Sequence, residues 1–364
     1  MSVYGLSLLT GRQFLIDLNN PCNFSHLFLP NQVNWLMSSS KVDISHNRIY
    51  VDCLNNFDPV CLEEYDYLSE SSKEKIKKNS VFTIKTNQNW LTFYSENPKF
   101  KDKILALGFN ATSEFRLHLL FNKWYKKLFK LAPSLEEKYE LIKKNALIAP
   151  QTKIFCAQIR IGGARPNVKY DLEINEIGVQ KYFWRFIRSN FLSKLKSNDD
   201  WRIFVTSDVE AVELEALEEF GARRVIRISG VSSHVDRESN LSNDCSRIEK
   251  PILDFHFLQN CDKALISRSG FGRLGLWNRE EPTKEMFVFF ENTIKNNENK
   301  IVLNFNTMGP ILEATCFVII LLGISMFYFK FKHMIVKTLK LFIKVISRCF
   351  YHLFYLSEKK RSQT

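Results

Sequence analysis

The sequence has no CxxC pair, no cysteine and histidine cluster at zinc-ligand spacing, and no DxD triplet. A structural zinc site and an aspartate pair holding a divalent ion are thereby excluded, so no metal is expected. It also lacks a leader: Met1 to Asp17 contains no basic stretch followed by an apolar run of normal length. Nothing visible would carry residue 1 across a membrane, so the chain is expected to be either a fragment missing its start, the favoured reading, or inserted by its tail the other way round. Net positive charge is small outside the C-terminus. Of the net +12, eight charges lie after Phe329, where Lys330, Lys332, Lys337, Lys340, Lys344, Arg348, Lys359, Lys360 and Arg361 face only Glu358. The remaining +4 is too little for a nucleic-acid surface, so nucleic acid is not an expected partner.

What is present is apolar and aromatic. Hydrophobic residues make up 45% of the 364, with 31 Phe, a composition of packed globular cores with some membrane character. The length allows two mid-sized domains. Ile311 to Phe329 carries one charge, Glu313, near its end. As a helix it would rise about 28 Å, close to the ~30 Å hydrocarbon thickness, and it is expected to span a bilayer. Residues 330–364 form a basic amphipathic tail, so that lipid contact is expected over 311–350. The positive-inside rule places the C-terminus in the cytosol and the body in the lumen of the Golgi or endoplasmic reticulum. Sequons at Asn23, Asn110 and Asn240 agree with that placement. Cys22, Cys53, Cys61, Cys156, Cys245 and Cys261 precede the span, and their number permits one or two disulfides or buried thiols without choosing between them.

Residues 1–148 read as an N-terminal α/β domain: a helix ending at Gly11, a strand over Gln13 to Leu18, short strands at Arg48 to Val51 and Val81 to Ile84, and a helix within Ser113 to Lys130. A further helix is expected to start with a capping box of Ser134 and Glu137. Ala149 to Thr152 is a hinge. From 149 to 292 strands and helices alternate: strands Lys153 to Ile161, Trp201 to Thr206, Arg224 to Ile228, Lys263 to Ser267 and Met286 to Phe290, with helices across Glu173 to Leu195 and Val209 to Phe220 and from about Pro251. This alternation predicts an α/β fold with a parallel, doubly wound sheet, whose ligands bind beyond the carboxyl ends of the strands. Residues 293–310 are assigned as a linker.

Three strand ends carry chemistry. Gln158-Ile159-Arg160-Ile161-Gly162 ends an apolar strand with a cation whose guanidinium can fork onto a diphosphate, or pair with a loop carboxylate. Thr206-Ser207-Asp208 opens a helix and reads first as a cap. Ser267-Arg268-Ser269-Gly270-Phe271 offers hydroxyls, a cation and bare amides at a helix N-terminus, an anion cradle. The run from Gly270 to Gly275 also matches GxGxxG, with Glu291 at the end of the next strand placed to grip a ribose. An NAD(P)-dependent oxidoreductase is therefore a rival reading, and an inactive membrane-anchored binding module is a third.

Taken together these segments resemble the GT-B type fucosyltransferases. The run Ala157 to Ile161, AQIRI, is similar to the IQIR strand end of the plant xyloglucan α1,2 enzymes, with Gln158 where the α1,6 enzymes carry His. Ile252 to Leu258, ILDFHFL, resembles the α1,6 segment before the last sheet strand, and GLSLLTGRQFLID from Gly5 resembles the opening of the plant group. The resemblance implies two Rossmann-like halves and metal-independent, inverting transfer of fucose from GDP-fucose, a co-substrate rather than a cofactor, to a glycan or glycoprotein hydroxyl. It implies Arg160 as the catalytic cation, Asp254 on the guanine edge, and Gln158, Gly162, Thr206, Ser207, Asp208, His256, Ser267, Ser269, Gly270 and Phe271 around the donor. The Lys and Glu that follow the arginine in the α1,6 enzymes fall here on Ala164 and Val168; Arg165, Lys169, Asp171 and Glu173 are alternative polar groups in that loop.

Overall fold

Runs of β-branched and aromatic residues recur after Lys153, and their polar interruptions mark where each strand stops. The computed structural model describes residues 1–18, 22–36, 48–53, 81–86, 88–162, 175, 178–197, 199–230, 245–291 and 300–304. The N-terminal half contributes helix α1 (Ser2–Thr10), strands β1 (Phe28–Pro30), β2 (Arg48–Cys53) and β3 (Val81–Thr86), helices α2 (Leu91–Glu96), α3 (Lys101–Ala106) and α4 (Leu117–Leu128), strand β4 (Phe129–Leu131) and helix α5 (Pro133–Ala146). Gly11 ends α1 at φ 65°, a left-handed conformation that glycine adopts without steric cost, and its N–H closes onto the Ser7 carbonyl.

The C-terminal half builds β5 (Lys153–Ile159), α6 (Gln180–Asn190), β6 (Trp201–Ser207), α7 (Glu210–Phe220), β7 (Val225–Ile226), α8 (Ser246–Phe257), β8 (Lys263–Ser267), α9 (Gly270–Trp277), β9 (Met286–Glu291) and β10 (Lys300–Asn304). These strands form one six-stranded sheet in the order β10-β9-β8-β5-β6-β7, parallel except for β10. The expected parallel sheet is therefore present. Residues 293–310 are not simply a linker, because Lys300–Asn304 adds an antiparallel edge strand to β9.

The period of two along β5 sorts its side chains between two layers. Phe155, Ala157 and Ile159 pack with Phe183, Ile187, Val205 and Leu265 beneath α6 and α7. Ile154 and Cys156 face the other way, joining Phe257, Leu258 and Ile266 in a core that continues into the N-terminal half through Phe121, Trp124 and Leu128. Burying each large side chain of this kind contributes about 1.5–3 kcal/mol. The α9 glycines let that helix lie close: a Cβ at Gly275 would stand 2.6 Å from Leu258 Cδ1, and one at Gly272 would stand 2.5 Å from Gln158 Oε1.

Two disulfides form among the described residues. Cys156–Cys261 ties β5 to the approach of β8, and Cys22–Cys245 ties the N-terminal half to the start of α8. Lys138 on α5 also pairs with Glu249 on α8 at 2.5 Å.

Several expectations are corrected. Gln13 to Leu18 forms no strand, only an isolated bridge of Ile16 with Leu36. Pro133, fixed near helical φ and missing the N–H that needs no partner there, starts α5 with Ala132 as its cap, so Ser134 lies inside the helix and the Ser134–Glu137 box does not form. Among the described residues the N-terminal half shows no Rossmann-like sheet but two pairs, β1 with β4 antiparallel and β2 with β3 parallel. Among the described residues no helix is long and apolar enough to cross a membrane, and the segments 311–329 and 330–364 lie outside those residues.

Candidate functional site

Strand β5 is followed in the chain by β6 on one side, while β8 lies on its other side, so the direction of winding reverses between β5 and β8. In doubly wound sheets the crevice at such a reversal is where ligands sit. The register pairs Gln158 with Thr206 and with Ile266, which brings all three strand ends to one rim. Arg160 is half-buried there, and its N–H donates to Ser267 Oγ at 2.9 Å. Gly270 is exposed at the first turn of α9, with open space where a Cβ would stand. Arg160 and the turn at 267–270 thus share one edge. Arg268, exposed, and Arg273, one turn into α9, add cations to the same rim.

Several of the other expected donor residues make contacts inside the protein. Asp208 accepts the Ile161 and Gly162 N–H groups at 2.8 and 2.7 Å, so its carboxylate clamps the loop after β5. Gly162 stands at φ 103°, where a Cβ would be strained. Ser207 Oγ accepts the Val209 N–H and the Ser207 N–H donates to Glu213, a local turn. Thr206 donates to Asp254 Oδ2 at 2.8 Å. Asp254 is 2% exposed, and Lys250 Nζ donates to the same oxygen at 2.7 Å, so Oδ2 lies in an internal ion network while Oδ1 makes no hydrogen bond to the described residues. Lys250 also reaches Glu213 at 2.8 Å, and Arg227 stands 3.7 Å from Glu213 on its other side. Burial pushes the Asp254 carboxyl up to about 6. Burial alone would lower the Lys250 ammonium, but Asp254 and Glu213 outweigh it and hold it above its ordinary value.

His256 is likewise not on the rim. Its Nε2 meets Tyr125 Oη at 2.7 Å, and its ring lies among Phe28, Tyr125, Tyr139 and Phe255 where the two halves pack. Burial lowers it to about 4. Gln158 and Ser269 are buried, Ser267 is fully buried, and Phe271 packs edge-on against Phe255. Sequence reasoning missed Asn175, Glu213 and Lys250. Lys250 and Asp254 stand four apart on a helix, a pairing legible in advance, whereas Asn175 had no local signal. Arg165, Lys169, Asp171 and Glu173, with the positions Ala164 and Val168, fall outside the described residues, as does Asn240. Asn23 and Asn110 are exposed. Among the described residues no three His, Cys, Asp or Glu side chains group as metal ligands.

No family model matches the sequence, and no curated protein matches it. Solved structures do match. FUT1 of Arabidopsis thaliana, a mutant in complex with GDP, superposes with a TM-score of 0.55 at 14% identity, over 80% of this chain and 67% of that one. NodZ α1,6-fucosyltransferase soaked with GDP-fucose gives 0.46 at 11% identity, over 83% and 92%, and NodZ from Bradyrhizobium gives 0.43 at 10% identity, also over 83% and 92%. The chain thus has a fucosyltransferase-like α/β fold with a parallel sheet; at this identity the likeness is one of fold.

Two outcomes test the buried groups. The unfolded chain protonates His256 near 6.5 and the folded chain only near 4, so the unfolded state holds more protons between those values and stability falls as pH drops through them. Urea denaturation is expected to show a loss of about 2 kcal/mol from this residue between pH 7 and pH 5; the same pH dependence in His256→Gln would exclude it as the source. Lys250→Met leaves Glu213 and Asp254 facing each other and is expected to cost about 3–5 kcal/mol in the same assay; a change under 1 kcal/mol would remove the ammonium as their counter-ion.

Proposed function

We propose that the chain is a glycosyltransferase that takes GDP-fucose and moves the fucosyl group to a glycan hydroxyl with inversion and without a metal. The observation that carries this reading is that the reversal between β5 and β8 sets Arg160, whose backbone N–H donates to Ser267 Oγ, on the same rim as the Gly270 turn, in a sheet whose fold matches that of a GDP complex. In this reading the Arg160 guanidinium and the first amides of α9 hold the diphosphate. Both are stronger partners for the departing GDP, which gains charge as the bond from its β-phosphate oxygen to the sugar C1 breaks, than for the intact donor. The acceptor oxygen bonds to C1 from the opposite face as that bond breaks, giving inversion, and its proton passes to a general base. The GxGxxG run is accounted for without a dinucleotide: Gly272 and Gly275 permit close helix packing, and Gly270 leaves the amides open.

The same reading places the body in an oxidising lumen, with 311–350 at the bilayer and the C-terminus in the cytosol. The two disulfides support it, since such bonds persist in oxidising compartments, and so does the exposure of Asn23 and Asn110.

Calorimetric titration of the full chain with GDP is expected to show binding, weakened about 10- to 100-fold in Arg160→Ala, the range for losing charge-assisted hydrogen bonds. Binding of NAD but not GDP would replace the transferase with the oxidoreductase, and GDP binding without fucosyl transfer or donor hydrolysis would leave an inactive module. For topology, glycosidase treatment of the chain expressed in eukaryotic cells is expected to increase its gel mobility; no shift, with Asn23 and Asn110 unmodified by mass spectrometry, would count against a lumenal body.

A further inference from the structure

Arg160 stands just past the last ladder pair of β5, where the sheet no longer holds its peptide. Three side chains replace the missing ladder. The Arg160 N–H donates to Ser267 Oγ at 2.9 Å. The Arg160 carbonyl accepts Asn175 Nδ2–H at 2.7 Å and the Asn175 backbone N–H at 3.3 Å. Asn175 Nδ2 also donates to Ser267 Oγ at 2.9 Å, so one amide nitrogen spends both hydrogens bridging the two strand ends. Asp208 then fixes the next two amides. Asn175 and Ser267 are 7% and 0% exposed, so water does not compete for these bonds.

We propose that Asn175 is the positioning residue for Arg160, joining its carbonyl to Ser267 and so fixing the backbone from which the guanidinium leaves the strand end. The inference rests on the donor reading above and adds to it a residue that touches no ligand. The orientation of the amide is chemically determined. Turned over, it would set its oxygen against the Arg160 carbonyl, two acceptors with no proton between them. The two lone pairs of Ser267 Oγ are already matched to the Arg160 and Asn175 donors. A hydroxyl at 175 would keep one of the two side-chain donors, and alanine keeps only the backbone N–H.

The test is GDP titration of the full chain as wild type, Asn175→Ala, Arg160→Ala and the double variant. Thr152→Ala serves as a stability control. Thr152 lies at the far end of β5, buried and bonded to Asp200 at 2.6 Å. Asn175→Ala is expected to weaken GDP binding about tenfold, the size of a lost buried hydrogen bond. Because Asn175 acts through Arg160, the double variant is expected to bind as Arg160→Ala does, with no further loss. Thr152→Ala is expected to lower the thermal midpoint and leave GDP affinity unchanged, separating positioning from general loosening. Should Asn175→Ala not fold, Asn175→Ser carries the test, with a smaller loss that likewise vanishes in the Arg160→Ala background. Wild-type affinity in the folded Asn175 variant, or losses that multiply in the double variant, overturn the positioning role while leaving the donor reading in place. Failure of the wild type itself to bind GDP overturns the donor reading and this inference with it.

Discussion

The parallel pairing of β5 with β8 is the constraint on which the rest of the site depends. Those strands are distant in sequence, yet their register sets Gln158 opposite Ile266 and thereby brings Arg160 beside Ser267. Parallel strands point their carboxyl ends the same way, so the cation ending one and the helix N-terminus following the other must share a rim. A slip of one residue would turn the alternating apolar side chains of β5 into the wrong layers, and both faces are packed. The core therefore fixes the geometry of the rim.

Beneath the rim, polar groups that look like ligand contacts hold the scaffold. Thr206, Lys250, Asp254 and Glu213 join β6, α7 and α8 in one buried network. Removing charge from water is costly, and the network offsets that cost by pairing opposite charges and adding a hydroxyl donor. Asp208 acts similarly one layer higher, converting a turn with two unpaired amides into a fixed loop. Above that network the rim carries the half-buried Arg160, the exposed Arg268 and Gly270, and Arg273, a concentration of positive charge beside a helix N-terminus.

The order of the strands from Lys153 to Glu291 was legible because fully buried parallel strands read as short apolar runs; Lys263–Ser267 was located to the residue, while the strand expected over Arg224 to Ile228 is only Val225–Ile226. The first half was less so. Gln13 to Leu18 has strand-like composition but gains only a single bridge, and the box at Ser134 was outcompeted by Pro133. Lys300–Asn304 holds only a three-residue apolar run, Ile301 to Leu303, after an Asn-rich turn signal at 296–299, and its pairing with β9 makes it a strand.

Within the site, Arg160 and Gly270 were visible from residue type and position at strand ends. Asp254 and His256 were visible as residues but not as environments: whether a carboxylate meets a ligand or a buried lysine depends on what stands across from it, and those partners come from elsewhere in the fold. The sequence by itself determined the strands, their apolar periodicity and the cations and glycines at their ends, because these follow from local propensity and spacing. Only the tertiary structure decided which polar groups face inward, that Asn175 joins Arg160 to Ser267, and that His256 lies between the halves, because such partnerships are made by residues far apart in the chain.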